Sequence, residues 1–207
     1  MGRPRRVSGI RYLALGDSYT IGEGVAPHER WPERLAATLR ERGYPMADPE
    51  VVARTGWTCD ELAAGISAAA LRGPYALVSL LIGVNDQYRG GTPDEYRPRF
   101  DAICALAKSL AGERTGRVVV LSIPDWGVSP FAPERGRAEI AREIDAFNAV
   151  NRAVAARAGA RYVDITAASR AAVDRACFVA DGLHPAAAVH AEWARLAVDA
   201  AERALRV

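Results

Sequence analysis

Short apolar runs alternate with longer segments of helical periodicity along this chain. Several of the short runs are rich in Val, Ile and Leu without polar residues at alternate positions, which is typical of strands covered on both faces. The predicted strands are Arg11–Leu15, Glu50–Ala53, Ala76–Ile82, Val118–Ile123 and Arg161–Ile165.

Segments that predict helices lie between these strands. Thr58 and Glu61 have the spacing of a capping box, in which a threonine and a glutamate three residues later bond each other's backbone N–H groups. The predicted helices are Trp31–Arg42, Thr58–Ala70, Asp94–Leu110, Arg137–Ala158 and a last helix from Pro185 to about Arg206.

This alternation predicts the α/β class, in three α/β/α layers around one doubly wound parallel sheet. No linker, internal repeat or change of composition divides the chain, so we expect a single domain over residues 9–207. A flexible tip at residues 1–8, with the basic residues Arg3, Arg5 and Arg6, is expected to precede it. The loop Pro124–Arg135 is expected to cover an edge of the sheet.

Composition and charge narrow the function classes. The chain has 207 residues, half of them hydrophobic, with 27 Lys and Arg against 25 Asp and Glu. This profile excludes a disordered chain, a collagen-like chain and a disulfide-rich miniprotein. A formal charge of +2 gives no reason to expect a nucleic-acid partner.

The cysteines and the apolar runs bear on the compartment. Cys59, Cys104 and Cys177 are widely spaced, which favours reduced thiols over disulfides or a zinc site. The run Ala76–Ile82 is far below the roughly 20 residues of a membrane helix, and no signal-peptide pattern follows the basic tip. We therefore expect a cytoplasmic protein without an integral membrane segment.

Polar residues that could act on a ligand follow the first three predicted strands. Ligands of such sheets bind at the carboxyl ends of the strands, which is where Ser18, Gly56 and Asn85 lie. Each has a simpler interpretation. Ser18 is a possible N-cap, Gly56 a residue that merely permits a turn, and Asn85 part of an Asx turn.

The segment before the last helix contains a candidate base. Asp181 precedes His184 by three residues and can accept a proton from one ring nitrogen, which leaves the other nitrogen to act as a base. A metal interpretation of this pair lacks a third ligand nearby in the sequence. His28 and His190 are expected to be surface or packing residues.

Together these positions supply the parts of a serine hydrolase. Ser18 is the candidate nucleophile, His184 its base and Asp181 the residue that orients the base. The N–H groups of Ser18 and Gly56 and the side-chain amide of Asn85 are candidate donors to an oxyanion.

Four segments resemble, in order, the motif blocks of the SGNH (GDSL) hydrolase superfamily. They are Gly16-Asp17-Ser18, Gly56, Gly83-Val84-Asn85-Asp86 and Asp181-Gly182-Leu183-His184-Pro185, which span nearly the whole chain. The resemblance implies a flavodoxin-like sheet of five parallel strands. It also implies hydrolysis of carboxylic esters through Ser18, Asp181 and His184, with no metal or other cofactor. Tyr19 departs from the leucine of the family's name motif.

The resemblance leaves the substrate open, because the superfamily includes thioesterases, lysophospholipases, arylesterases and carbohydrate deacetylases. Aromatic residues near the predicted active edge are candidates for the wall of a pocket for short or medium acyl groups; the alternative is that they cover the core, as most aromatic residues do. They are Tyr19, Trp57, Tyr88, Trp126 and Phe131. Arg89 is expected to pair with a nearby carboxylate or to meet an anionic head group.

Other activities remain compatible with the same residues. An acyltransferase or a carbohydrate deacetylase would use the same site, and a ligand-binding module of the same fold would not use it for catalysis. The expected partner is a small ester, and the sequence leaves the oligomeric state open.

Overall fold

Five parallel strands form the centre of the structure, a computed structural model that describes residues 9–133 and 136–206. The strands are β1 (Tyr12–Gly16), β2 (Glu50–Ala53), β3 (Leu77–Leu81), β4 (Val118–Leu121) and β5 (Arg161–Val163). Their order in the sheet is β2-β1-β3-β4-β5, which is the flavodoxin-like order. The predicted α/β class and its parallel five-stranded sheet are confirmed. The basic tip at residues 1–8 lies outside the described residues.

The central strands are apolar because both of their faces are covered. Every residue of β1, β3 and β4 is buried. Leu13 pairs with Glu50 on one side of β1 and with Val78 on the other, so the register places the ends of β1, β2 and β3 side by side.

Helices cover the two faces of the sheet. The helices are α1 (Ser18–Ile21), α2 (Trp31–Glu41), α3 (Cys59–Ala68), α4 (Val84–Tyr88), α5 (Pro93–Leu110), α6 (Arg137–Ala158), α7 (Thr166–Ala171) and α8 (Ala187–Leu205). On one face α2 packs against α8, and on the other α5 packs against both α3 and α6. In the described part of the chain, no helix combines the length and the apolar character needed to cross a membrane.

The strand before the long loop ends two residues earlier than predicted. The Asn148 side chain accepts the Ile123 N–H at 2.7 Å and donates to the Ile123 carbonyl at 2.9 Å. Because this amide on α6 replaces a neighbouring strand, β4 ends at Leu121 and the chain leaves the sheet. The predicted loop Pro124–Arg135 starts from this point, and its residues 134–135 lie outside the described part.

The last helix also begins later than predicted. His184 and Pro185 pair with Phe178 and Val179 instead, since the Val179 N–H donates to the His184 carbonyl at 2.9 Å. The helix therefore begins at Ala187, and His184 is held by a short antiparallel bridge rather than by the helix itself.

Candidate active site

One cavity lies at the carboxyl ends of β1, β2 and β3 and encloses a volume of about 160 Å³. Four of the five predicted catalytic and oxyanion-hole residues line this cavity: Ser18, Gly56, Asn85 and His184. The fifth, Asp181, does not line the cavity but contacts the His184 ring. The complete lining is Ser18, Tyr19, Thr55, Gly56, Val84, Asn85, Tyr88, Trp126, Phe131, Leu183 and His184.

Ser18 lies at the tight turn between β1 and α1. A side chain at Gly16 would bring its Cβ within 2.4 Å of the Leu81 carbonyl, so only glycine fits beside β3 at this point. Asp17 then caps α1 by accepting the Tyr19 N–H at 3.0 Å. Among the described residues the Ser18 N–H has no acceptor, so it is available as a donor.

Gly56 lies in the loop between β2 and α3 with a φ of 84°, in the left-handed region that favours glycine. Its carbonyl accepts a hydrogen bond of 2.6 Å from Arg89. Within the described ranges its N–H has no acceptor, and the residue lines the cavity. The loop therefore presents a second backbone donor beside Ser18.

Asn85 is the second residue of α4, which begins directly after Gly83. Its Nδ2 donates to the Trp57 carbonyl at 3.0 Å. A side-chain amide carries two N–H groups, so the second remains to donate into the cavity. Three donors from three segments thus surround one space.

His184 is oriented by Asp181. Oδ2 of Asp181 lies 2.6 Å from Nδ1 of His184, and Oδ1 accepts the N–H groups of Leu183 and His184 at 2.8 and 3.0 Å. Burial acts to raise the pKa of Asp181, but these hydrogen bonds outweigh it and hold the pKa below its ordinary value. A charged Asp181 keeps the proton of the imidazole on Nδ1, which leaves Nε2 as the basic nitrogen.

The predicted pocket aromatics divide into two groups. Tyr19, Tyr88, Trp126 and Phe131 line the cavity. Trp57 does not, because its ring packs over Gly65 in α3, at which a Cβ would lie 2.3 Å from the indole.

Three further lining residues were not singled out from the sequence: Thr55, Val84 and Leu183. Each is a direct neighbour of Gly56, Asn85 or His184 in the chain, and that adjacency is the signal by which they could have been found.

The remaining candidates are not among the residues that line the cavity. Arg89 pairs with Glu61 at 3.2 Å, as expected for an arginine next to a carboxylate. His28 is exposed, and His190 is buried, where its Nδ1 accepts the Trp31 N–H. Among the described residues, no group of three His, Cys, Asp or Glu side chains is arranged to hold a metal ion.

The sequence matches the GDSL-like lipase/acylhydrolase family over residues 14–192. No curated protein matches the chain in a sequence search.

Solved structures share the fold at low identity. TesA is 23% identical with a TM-score of 0.74, over 94% of this chain and 99% of its own. The psychrotrophic esterase EstA from Pseudoalteromonas sp. is 15% identical with a TM-score of 0.71, over 96% and 100%. The lipase/acylhydrolase from Enterococcus faecalis is 19% identical with a TM-score of 0.73, over 95% and 96%.

Proposed function

Because this chain belongs to the GDSL-like lipase/acylhydrolase family and is a hydrolase of ester bonds, we propose that it cleaves carboxylic esters through an acyl-enzyme on Ser18. The observation that carries the proposal is the 2.6 Å contact between Asp181 and His184 at the cavity that Ser18 also lines. A serine hydroxyl is a weak nucleophile until an oriented base removes its proton.

In the first half of the reaction, Nε2 of His184 takes the proton of the Ser18 hydroxyl while Oγ attacks the ester carbonyl carbon. The carbonyl oxygen becomes an oxyanion that accepts hydrogen bonds from the Ser18 N–H, the Gly56 N–H and the Asn85 amide. When the carbonyl re-forms, the C–O bond to the alcohol breaks and His184 gives its proton to the departing oxygen.

In the second half, water attacks the acyl group on Ser18. His184 takes a proton from this water, the same three donors hold the new oxyanion, and the proton returns to the Ser18 Oγ as the acid leaves. Asp181 stabilises the imidazolium that forms in each half and does not itself accept the proton.

The cavity favours uncharged acyl groups of short to medium length. Its volume is about 160 Å³, and no Lys, Arg, Asp or Glu side chain is among its described lining residues. Aromatic and aliphatic side chains form most of the wall, and such a surface binds hydrocarbon better than a charged or heavily hydroxylated group. We therefore expect esters of small fatty acids to react fastest.

The test is turnover of p-nitrophenyl acetate, butyrate and octanoate by the wild type and two variants, Ser18→Ala and His184→Ala. The serine nucleophile and the histidine base depend on each other, so the loss of either one is expected to lower kcat by about 10³-fold or more. His28→Ala is the matched control, because His28 is exposed and outside the cavity.

Circular dichroism establishes that the variants are folded. A Ser18→Ala variant that keeps the wild-type rate contradicts the proposal. A folded wild type that hydrolyses none of these esters would favour a ligand-binding module. Turnover that rises with added alcohol, together with formation of a new ester, would identify acyl transfer.

The cysteines support a proposed cytoplasmic location. Cys59, Cys104 and Cys177 all have free thiols, two of them buried, as is usual in a reducing compartment. Fractionation of the cells that produce the protein tests this: we expect the activity in the cytoplasmic fraction, and its recovery outside that fraction would contradict the proposal.

A further inference from the structure

Two side chains at α4 donate hydrogen bonds to consecutive carbonyl groups of the loop after β2. Asn85 lies in the first turn of α4, and Arg89 directly follows its last residue. The spacing of four residues places both on one side of the helix. Asn85 donates to the Trp57 carbonyl at 3.0 Å, and Nη2 of Arg89 donates to the Gly56 carbonyl at 2.6 Å.

Packing does little to fix the orientation of Gly56. Its φ of 84° lies in the left-handed region, which glycine adopts readily and other residues rarely adopt. Apart from its neighbours in the chain, a Cβ built on Gly56 would have one described atom within 4 Å, which is Nη2 of Arg89 at 3.9 Å. The direction of the Gly56 N–H therefore depends more on the hydrogen bonds of this loop, from Arg89 to the Gly56 carbonyl and from the Trp57 N–H to the Arg54 carbonyl, than on packing around it.

Arg89 is itself held in place from α3. Its two terminal nitrogens lie 3.2 and 3.4 Å from the carboxylate oxygens of Glu61. The same carboxylate accepts the Thr58 N–H at 2.8 Å, and it stays charged because this bond and the Arg89 guanidinium help to keep the pKa of Glu61 below its ordinary value. The chain of contacts runs from the start of α3 through Glu61 and Arg89 back to Gly56.

We propose that Arg89 is a positioning residue: by binding the Gly56 carbonyl it holds the peptide that follows Gly56, and it thereby limits the rotation of the preceding peptide, whose N–H donates to the substrate carbonyl. Arg89 is not among the residues that line the cavity, and so it acts through Gly56 rather than on the substrate. This inference rests on the proposed function, in which Gly56 stabilises the oxyanion. A donor that is misplaced still contributes in part, so the loss should be smaller than the ~10²–10³-fold cost of removing a donor.

The test compares Arg89→Gln and Arg89→Lys with the wild type on an uncharged ester. We expect kcat to fall by about tenfold in Arg89→Gln with KM nearly unchanged, because the oxyanion exists only in the transition state. Arg89→Lys retains a donor and should recover part of the rate. Inactivation by an uncharged alkyl fluorophosphonate should slow in the same proportion as kcat.

The matched control is Arg99→Gln. Arg99 pairs with Asp60, the neighbour of Glu61 on α3, at 3.5 Å, and its side chain is exposed to a similar degree, 46% against 53% for Arg89. Exposed ion pairs of this kind contribute little to stability. We expect Arg99→Gln to keep the wild-type kcat. We expect both Arg89→Gln and Arg99→Gln to keep the wild-type urea midpoint of unfolding.

Three results would overturn the inference. One is an unchanged kcat in Arg89→Gln, and another is a loss confined to KM on anionic esters, which would make Arg89 a substrate-binding residue. The third is a loss of kcat with a matching fall in urea midpoint. Ser18→Ala, assayed beside them, separates the two proposals, since retained activity in that variant contradicts the proposed function itself.

Discussion

Asp17 holds a carboxyl group out of water directly before the candidate nucleophile. One oxygen accepts the Tyr19 N–H, and the other is buried without a partner among the described residues. Burial raises the pKa of Asp17 to about 8, and the neighbouring carboxyl of Asp86 adds to the rise. The residue therefore favours its neutral form at the turn that presents Ser18.

The burial of Asp17 predicts that the free energy of unfolding depends on pH. The folded protein binds the Asp17 proton more tightly than the unfolded chain, so the free energy of unfolding should fall as the pH rises from about 4 towards 8. Asp17→Asn keeps an oxygen for the Tyr19 N–H and cannot ionise. We expect urea unfolding to show a stability advantage of the variant at pH 9 that shrinks or vanishes at pH 4.

Asp181→Asn provides the contrast for that experiment. Its carboxyl has a pKa held below the ordinary value, so the change should not reproduce the gain at high pH. Equal pH profiles for the wild type and Asp17→Asn would show that the Asp17 carboxyl is not kept neutral by burial.

The loop after β4 forms one wall of the cavity and is anchored at several points. Asp125 donates its N–H to the Ser169 hydroxyl at 2.9 Å, and the indole N–H of Trp126 donates to Gln87 at 2.8 Å. Trp126 also contacts Tyr88 and Phe131, with ring centroids 5.3 and 6.3 Å away. The wall is thus a fixed aromatic surface, and its shape should limit the acyl chain.

Trp126→Ala is expected to shift the preference towards longer acyl chains, because removal of a buried indole enlarges the cavity. The ratio of kcat/KM for p-nitrophenyl octanoate to that for the acetate measures the shift. Trp57→Ala is the matched control: its indole packs on Gly65 and does not line the cavity, so the ratio of the two rates should not change. An unchanged ratio in Trp126→Ala would contradict the assignment of this wall.

The long elements were predictable because each contains enough residues to show its period. The bounds of α6 match the prediction and those of α2 and α5 differ from it by one residue, while the capping box at Thr58 and Glu61 forms as expected. The short helices α1, α4 and α7 have four to six residues, too few for a helical period to emerge. Their positions depend on tertiary contacts that no local pattern records.

On the scale of the whole molecule, the sheet order brings together residues that are far apart in the sequence. Ser18, Gly56 and Asn85 follow three adjacent parallel strands, and the carboxyl ends of such strands share one edge. Their convergence could therefore be predicted from the strands alone. Two contacts could not be predicted in this way: the hydrogen bond from Arg89 to Gly56 and the packing of Trp57 on Gly65. Each depends on how a helix packs against a loop.

The central claim is that Ser18 carries the acyl group, and covalent labelling tests it most directly. We would incubate the wild type, Ser18→Ala and His184→Ala with an uncharged alkyl fluorophosphonate and locate the adduct by peptide mass spectrometry. The account predicts one adduct per chain, on Ser18, no adduct in Ser18→Ala, and labelling slowed by about 10³-fold in His184→Ala. An adduct on another residue, or full ester turnover with Ser18 unlabelled, would contradict it.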